Sequence, residues 1–177
     1  GERIGPPSLT NATAARIDFD FSPDGQWMAV GASDGTHLLD LSKGTSAAVL
    51  PSTANAEFVC FGMDSHHLAT AKGPEVLAWS FKDGTWTSKT LRHPSALRSI
   101  SFHPNGETLV TASLRGLFVW NLARGELVGP MIPLAGDLFD CRFSTDGKWL
   151  VTAGWDRTIR LFAAEDIRPV SDFMRHR

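Results

Sequence analysis

An all-β fold, a run of β-propeller blades of four antiparallel strands each, is predicted by three features of this 177-residue sequence that share one beat. Phe21, Phe61, Phe102 and Phe143 recur at intervals of 40, 41 and 41 residues, each leading into a turn sequence. A large apolar residue, Leu39, Trp79, Trp120 or Phe162, follows each phenylalanine by 18, 18, 18 or 19 residues. Gly44, Gly84 and Gly125 repeat in the same phase. A repeat of this length means that each unit is one supersecondary element buried by its neighbours. No segment keeps a helical period.

The elements of one repeat follow in order. Before each phenylalanine lies a short alternating segment such as Leu97-Arg98-Ser99-Ile100-Ser101-Phe102, which predicts a first strand with one side in a core. Ser22-Pro23-Asp24-Gly25 and His103-Pro104-Asn105-Gly106 then turn the chain, because proline presets one backbone angle and glycine accepts a positive one. The second strand shrinks in side-chain size along its length, as in Trp27-Met28-Ala29-Val30-Gly31 and Trp149-Leu150-Val151-Thr152-Ala153, which suits a place where sheets crowd together. After turns at Ser33-Asp34-Gly35 and Trp155-Asp156-Arg157 a third strand follows, for example Leu117-Phe118-Val119-Trp120-Asn121-Leu122. A fourth, more polar strand is expected after the glycine, as in Thr85-Trp86-Thr87-Ser88-Lys89-Thr90-Leu91. Four strands per repeat make a propeller blade. The whole chain reads as one domain segment, with repeats at about 10–50, 51–92, 93–133 and 134–177.

Gly1-Glu2-Arg3-Ile4-Gly5-Pro6 resembles Gly125-Glu126-Leu127-Val128-Gly129-Pro130, which falls in the fourth strand of the third repeat. Residues 1–9 are therefore expected to be the outer strand of a preceding or closing blade, with the region of Ile4 completing the sheet that ends at Phe162. The tail from Asp166 to Arg177 is either a competing strand or a disordered end. The first residue is Gly1 rather than methionine, which reads as a processed chain or a piece of a longer one.

These residues resemble the WD40 family over nearly the whole chain, from about Ile17 to Phe162. The family's Trp-Asp pair stands here as Leu39-Asp40, Trp79-Ser80, Trp120-Asn121 and Phe162-Ala163. Its structural aspartate matches Asp34 and Asp156, with Arg115 at that place in the third repeat and Gly73-Pro74 in the second. Its Gly-His dipeptide is matched at His93, after Arg92, while the other repeats carry Ala12, Ser52 and Leu134. No repeat then holds a complete His–Ser/Thr–Asp–Trp network, and a half-filled polar network is costly. The resemblance implies a ring of about seven or eight blades. Four repeats are then a segment of a longer propeller, half of a ring made by two copies, or a small four-bladed form. Gly5-Pro6-Pro7 and Arg92-His93-Pro94 resemble bacterial arrays of this family, including those joined to serine/threonine kinases.

Composition narrows the function. A formal net charge of -2 offers none of the basic excess that phosphate-gripping domains carry, so no nucleic-acid partner is expected. No apolar run is long enough to cross a bilayer, so no membrane insertion is expected; the N-terminus has no charged-then-apolar signal segment, a signal removed from a processed chain stays open, and the location expected is cytoplasmic. Cys60 and Cys141, without a Cys-x-x-Cys pair, are expected to be two small buried residues in a reducing compartment.

No catalytic residue, cofactor or metal is expected. There is no Gly-x-Ser-x-Gly elbow, no His-Glu-x-x-His and no phosphate loop. Asp24, Asp64 and Asp146 are accounted for by turn chemistry, and His66-His67 enters a strand with its side chains on opposite faces. Trp27, Trp149, Trp79 and Trp120 are expected to be packing residues, and Trp86 an edge cover.

The resemblance implies a non-catalytic scaffold that binds a protein or peptide on one rim, through fixed repeat positions. One lies four residues before the strand phenylalanine and holds Ile17, Glu57, Arg98 and Phe139. The other precedes the structural aspartate and holds Ser33, Leu114 and Trp155. Asp137 adds charge beside Phe139. Trp155 has packing against a neighbouring blade as its competing role. Two other functions stay open: a propeller enzyme with a site in the central channel, and a purely structural module.

Overall fold

The computed structural model describes residues 18–32, 34–51, 56–134 and 136–175, without the side chains of 171–175. Among these residues there is no helix, and the strands form four separate antiparallel sheets. The first sheet runs β1 (Phe19–Phe21), β2 (Trp27–Ala32), β3 (Gly35–Asp40) and β4 (Thr45–Leu50). The second runs β5 (Phe58–Phe61), β6 (His67–Lys72), β7 (Glu75–Lys82) and β8 (Thr85–Arg92). The third holds β9 (Leu97–Phe102), β10 (Thr108–Ser113), β11 (Gly116–Asn121), β12 (Glu126–Leu127) and β13 (Ile132–Pro133). The fourth holds β14 (Leu138–Phe143), β15 (Trp149–Gly154), β16 (Thr158–Ala163) and β17 (Arg168–Arg175). The chain divides into two compact units, Gly1–Arg92 with the first two sheets and His93–Arg177 with the other two.

The turns after the first strands form as their chemistry requires. The Ser22 hydroxyl donates to Asp24 Oδ1 at 2.5 Å, and the Gly25 N–H donates to the Ser22 carbonyl at 2.8 Å. Ser144 and Asp146 repeat the first of these bonds at 2.6 Å. The hydroxyls, with one backbone N–H each, hold both carboxyls below the usual range.

Each unit has its own core. In the first, Ala29, Leu38 and Leu50 of one sheet pack with Val59, Phe61, Leu68 and Trp79 of the next. In the second, Val110, Ala112 and Leu117 pack with Leu138, Cys141, Leu150 and Phe162. The small residues at the ends of second strands allow close approach: a Cβ on Gly31 would lie 2.5 Å from the Ala56 carbonyl oxygen.

The same hydrogen-bond latch joins the sheets within each unit. Asp18 and Asp20 accept from the N–H groups of Val59 and Phe61, both at 2.8 Å. Ser99 and Ser101 accept from the N–H groups of Cys141 and Phe143, at 3.2 and 3.0 Å. In both cases the acceptors stand three and one residues before the strand phenylalanine. The donors stand two residues before the next phenylalanine and at it.

Several expectations are corrected. The fourth strand of the third sheet is broken: Glu126 and Leu127 pair with Asn121 and Trp120, whereas Ile132 and Pro133 pair with Leu117 and Gly116. Pro130 lacks an N–H and Gly129 adopts a positive φ of 77°, so the residues from Gly129 to Met131 leave the ladder. Arg168–Arg175 pair with β16, so the tail is a strand rather than a disordered end, and the strand expected near Ile4 lies outside the described residues. Cys60 is half-buried rather than buried, and Trp149 is 38% exposed. Trp79 and Trp120 are buried, and Trp86 stacks on Phe81 with ring centroids 5.1 Å apart.

Candidate functional site

Two of the expected rim residues of the second unit, Arg98 and Phe139, are presented by β-bulges. In β14 the register slips between Leu138 and Asp140, leaving Phe139 without a partner in the ladder. In β9 it slips in the same way, Leu97 facing Ser113 and Ser99 facing Ala112, so that Arg98 is the extra residue. Plain alternation would put Phe139 on the face of Cys141, which is 1% exposed. The bulge re-aims it, and Phe139 is 49% exposed.

Trp155 follows β15 in a tight turn and is 74% exposed. Its ring meets that of Phe139 edge to face, with centroids 5.8 Å apart, and its N–H donates to the Asp137 carbonyl at 2.8 Å. Asp156 braces the turn. Asp156 Oδ1 accepts from the Thr158 hydroxyl at 2.7 Å and from the Thr158 N–H at 3.1 Å, while Oδ2 pairs with the Arg160 guanidinium. Burial works to raise the Asp156 pKa, but Arg160 and Thr158 prevail and hold it below the ordinary value. Gly136, at φ 84°, packs onto Asp156, where a Cβ would lie 2.8 Å from that of Asp156.

The structure thus brings Trp155, Phe139 and Asp137 together. Arg98 is exposed on β9, next to Ser99, whose hydroxyl donates to Asp140 beside Phe139 at 2.7 Å. Leu114 is 38% exposed in the turn between β10 and β11. Glu57 is half-buried in the other unit, where its N–H donates to the Ala71 carbonyl at 2.8 Å. Ile17 and Ser33 lie outside the described residues.

A second concave surface was not legible in the sequence. A cleft of about 610 Å³ in the second unit is lined by Val119, Val128, Met131 and Ile132 on its apolar side and by His103 and Glu165 among its polar groups. It lies where Gly129–Met131 leave the sheet at the Gly129-Pro130 break, while the Val128 N–H still donates to the Val119 carbonyl at 2.7 Å. Those two residues were the available signal.

The motif residues are engaged in hydrogen bonds and packing. The indole N–H groups of Trp79 and Trp120 donate to Thr70 and Thr111 at 3.1 and 2.9 Å, the inner half of the expected network. His93 is buried against Phe118, ring centroids 4.3 Å apart, with Nδ1 2.7 Å from the Ser95 carbonyl. Its Nε2 is buried without a hydrogen-bond partner among the described residues. Burial lowers the pKa of His93, against the smaller opposite pull of the Ser95 carbonyl. Asp34 pairs with His37 Nε2 at 2.7 Å, and His67 Nδ1 lies 2.6 Å from Asp64 Oδ2. Among the described residues no three His, Cys, Asp or Glu side chains are placed to hold a metal ion, and no helix is long and apolar enough to cross a membrane.

The family model described as WD domain, G-beta repeat, matches residues 8–38, 83–121 and 133–162, more than half of the chain. Similar proteins include Telomerase protein component 1 of Mus musculus, 27% identical over 84% of this chain and 6% of its own length. Periodic tryptophan protein 2 of Arabidopsis thaliana is 27% identical over 88% of this chain and 18% of its own. Eukaryotic translation initiation factor 3 subunit I of Drosophila grimshawi is 26% identical over 100% of this chain and 59% of its own. The chain therefore spans less than two thirds of the length of each of these relatives, from 6% to 59%.

Proposed function

We infer, from the premise that this chain belongs to the WD40 repeat family, that it is a non-catalytic scaffold whose rim binds a protein or peptide partner. The observation that carries this reading is the exposed pair Trp155 and Phe139, set edge to face on a braced turn and a bulge. Large aromatic side chains exposed on rigid backbone are the residues from which interface hot spots are made. Arg98 and Asp137 supply charge of both signs near the pair, and Leu114 adds apolar surface. Ile17 and Glu57 belong to the same proposal by their repeat positions. Two of the relatives' names, Telomerase protein component 1 and Eukaryotic translation initiation factor 3 subunit I, are those of a component and a subunit, which fits a scaffold.

The finer reading is a segment of one propeller, residues 1–177, that serves as the sensing or docking arm of a larger protein in the cytoplasm. The small share of the relatives that the chain covers supports a larger parent. A kinase-linked bacterial parent rests on Gly5-Pro6-Pro7 and Arg92-His93-Pro94 alone.

The test uses peptides selected from a displayed library on the immobilised chain. Trp155→Ala is expected to weaken their binding by ~30-fold, the equivalent of about 2 kcal/mol, with little change in melting temperature. Unchanged affinity for Trp155→Ala, with a loss for Met131→Lys, would place the binding surface in the cleft and overturn the rim.

A further inference from the structure

We propose that the cleft of the second unit binds a small organic cation, an ammonium group carried on a short apolar body. Its volume of about 610 Å³ lies within the roughly 300–1,000 Å³ typical of small-molecule sites. Val119, Val128, Met131 and Ile132 line it on the side of the third sheet. The turn between β16 and β17, with Ala164 and Ile167, lines it on the side of the fourth.

Two departures from the repeat meet in this cleft. One is the Gly129-Pro130 break. The other is Ile167. Gly44, Gly84 and Gly125 stand five residues after Leu39, Trp79 and Trp120, with φ of 63°, 78° and 72°. Ile167 stands five residues after Phe162, at the same place in the fourth repeat, with φ of 49°. Glycine adopts this left-handed backbone freely, whereas a β-branched residue is strained in it. A Cβ on Gly84 would meet nothing within 4 Å. Ile167 is 7% exposed instead, belongs to the core of the second unit and lines the cleft. Strain accepted where the other repeats avoid it supplies apolar surface that a glycine lacks, and such strain gathers at ligand sites.

Charge selects the ligand. Glu165 and Asp166 line the cleft, and no lysine or arginine does. Asp166 is engaged by Arg168, whose N–H donates to Oδ1 at 3.1 Å and whose Nε lies 2.7 Å from Oδ2. Glu165 is exposed and has no ion-pair partner among the described residues. His103 has both ring nitrogens occupied: Nδ1 accepts from the Asn105 N–H at 3.0 Å, and Nε2 donates to the Gly147 carbonyl at 2.9 Å. The lining thus offers apolar surface and one available carboxylate, which attracts an ammonium and repels an acid. An extended peptide is disfavoured. The edge of β11 is paired with β12 at Trp120 and Asn121 and with β13 at Gly116 and Leu117, and the Val119 carbonyl accepts from Val128. The main-chain bonds that give an added strand its affinity find no open run there.

The experiment is a titration of the whole chain, labelled with ¹³C at its methionine methyls, with hexylammonium chloride. Met131 is one of four methionines, and Met131→Leu identifies its signal. That signal is expected to move saturably, with a dissociation constant on the order of 1 mM, while the other three stay in place. Hexan-1-ol is expected to bind about 5-fold more weakly, and hexanoate more weakly still. Glu165→Gln is expected to erase the preference for the ammonium over the alcohol. Ile167→Gly suits the backbone and removes the side chain, so it is expected to weaken both ligands alike. A Met131 signal that does not move overturns the proposal, as do four signals that move together. So does hexanoate binding as well as hexylammonium, or a preference that survives in Glu165→Gln. Trp155 does not line the cleft, so Trp155→Ala leaves this titration unchanged, and failure here is distinct from failure of the rim reading.

Discussion

The buried tryptophans show what a single side chain is asked to do. Trp120 donates its indole N–H to Thr111, which is fully buried in the sheet. Thr111→Val keeps the shape and removes the acceptor, leaving a buried donor unpaired. A loss of about 1–3 kcal/mol by urea denaturation is expected, with the fold retained. His93 makes a pH-dependent contribution. Burial holds its pKa below 6.5, so the unfolded chain binds a proton that the folded chain refuses. Stability is therefore level above 6.5 and falls as pH drops through 6.5 toward the folded value. A melting profile from pH 8 to 5 is expected to lose part of that fall in His93→Asn. Asp40, held at about 2 by the Lys43 ammonium and the Ser42 hydroxyl, acts in a lower window. Its contribution is present above 3.8 and is lost as pH falls toward about 2.

Among elements, the informative ones are the first and second strands. Side-chain oxygens at alternate positions of one first strand hold the edge of the next sheet, and a small residue on the second strand lets the sheets close. Ser101→Ala removes one latch and is expected to cost about 1 kcal/mol in urea denaturation. Gly31→Ala is expected to cost about 1–3 kcal/mol by the same measurement, because its Cβ meets a backbone carbonyl that cannot turn aside. The bulges at Arg98 and Phe139 add no stability argument of their own. They take a residue out of the alternating pattern and turn it toward solvent, which exposes the side chains of the proposed rim.

At the scale of the whole molecule, equal repeat positions have unequal consequences. Val110→Asp places a charge in the second unit's core and is expected to cost about 3–5 kcal/mol. Val151→Asp, one repeat on, is expected to change the stability of the chain by less than about 0.5 kcal/mol. Thermal melts of the two variants compare them directly. An equally large loss for Val151→Asp would mean that its side chain is buried.

Residue type and spacing alone determined the all-β class, the 41-residue beat, the turns at Ser22–Gly25 and Ser144–Gly147 and the inward Trp79 and Trp120. All of these follow from local backbone chemistry and from the alternation of apolar side chains. The rim positions were legible as repeat positions, but not as a cluster. Trp155 and Phe139 meet only because a bulge and a braced turn, two departures from regular geometry, aim them at each other. Tertiary structure also decided that the tail pairs into the fourth sheet and that a cleft lies at the Gly-Pro break of the third. Strand pairing at an edge is a competition between segments of similar character. Its outcome depends on which segment reaches the edge in space, a quantity that no local pattern contains.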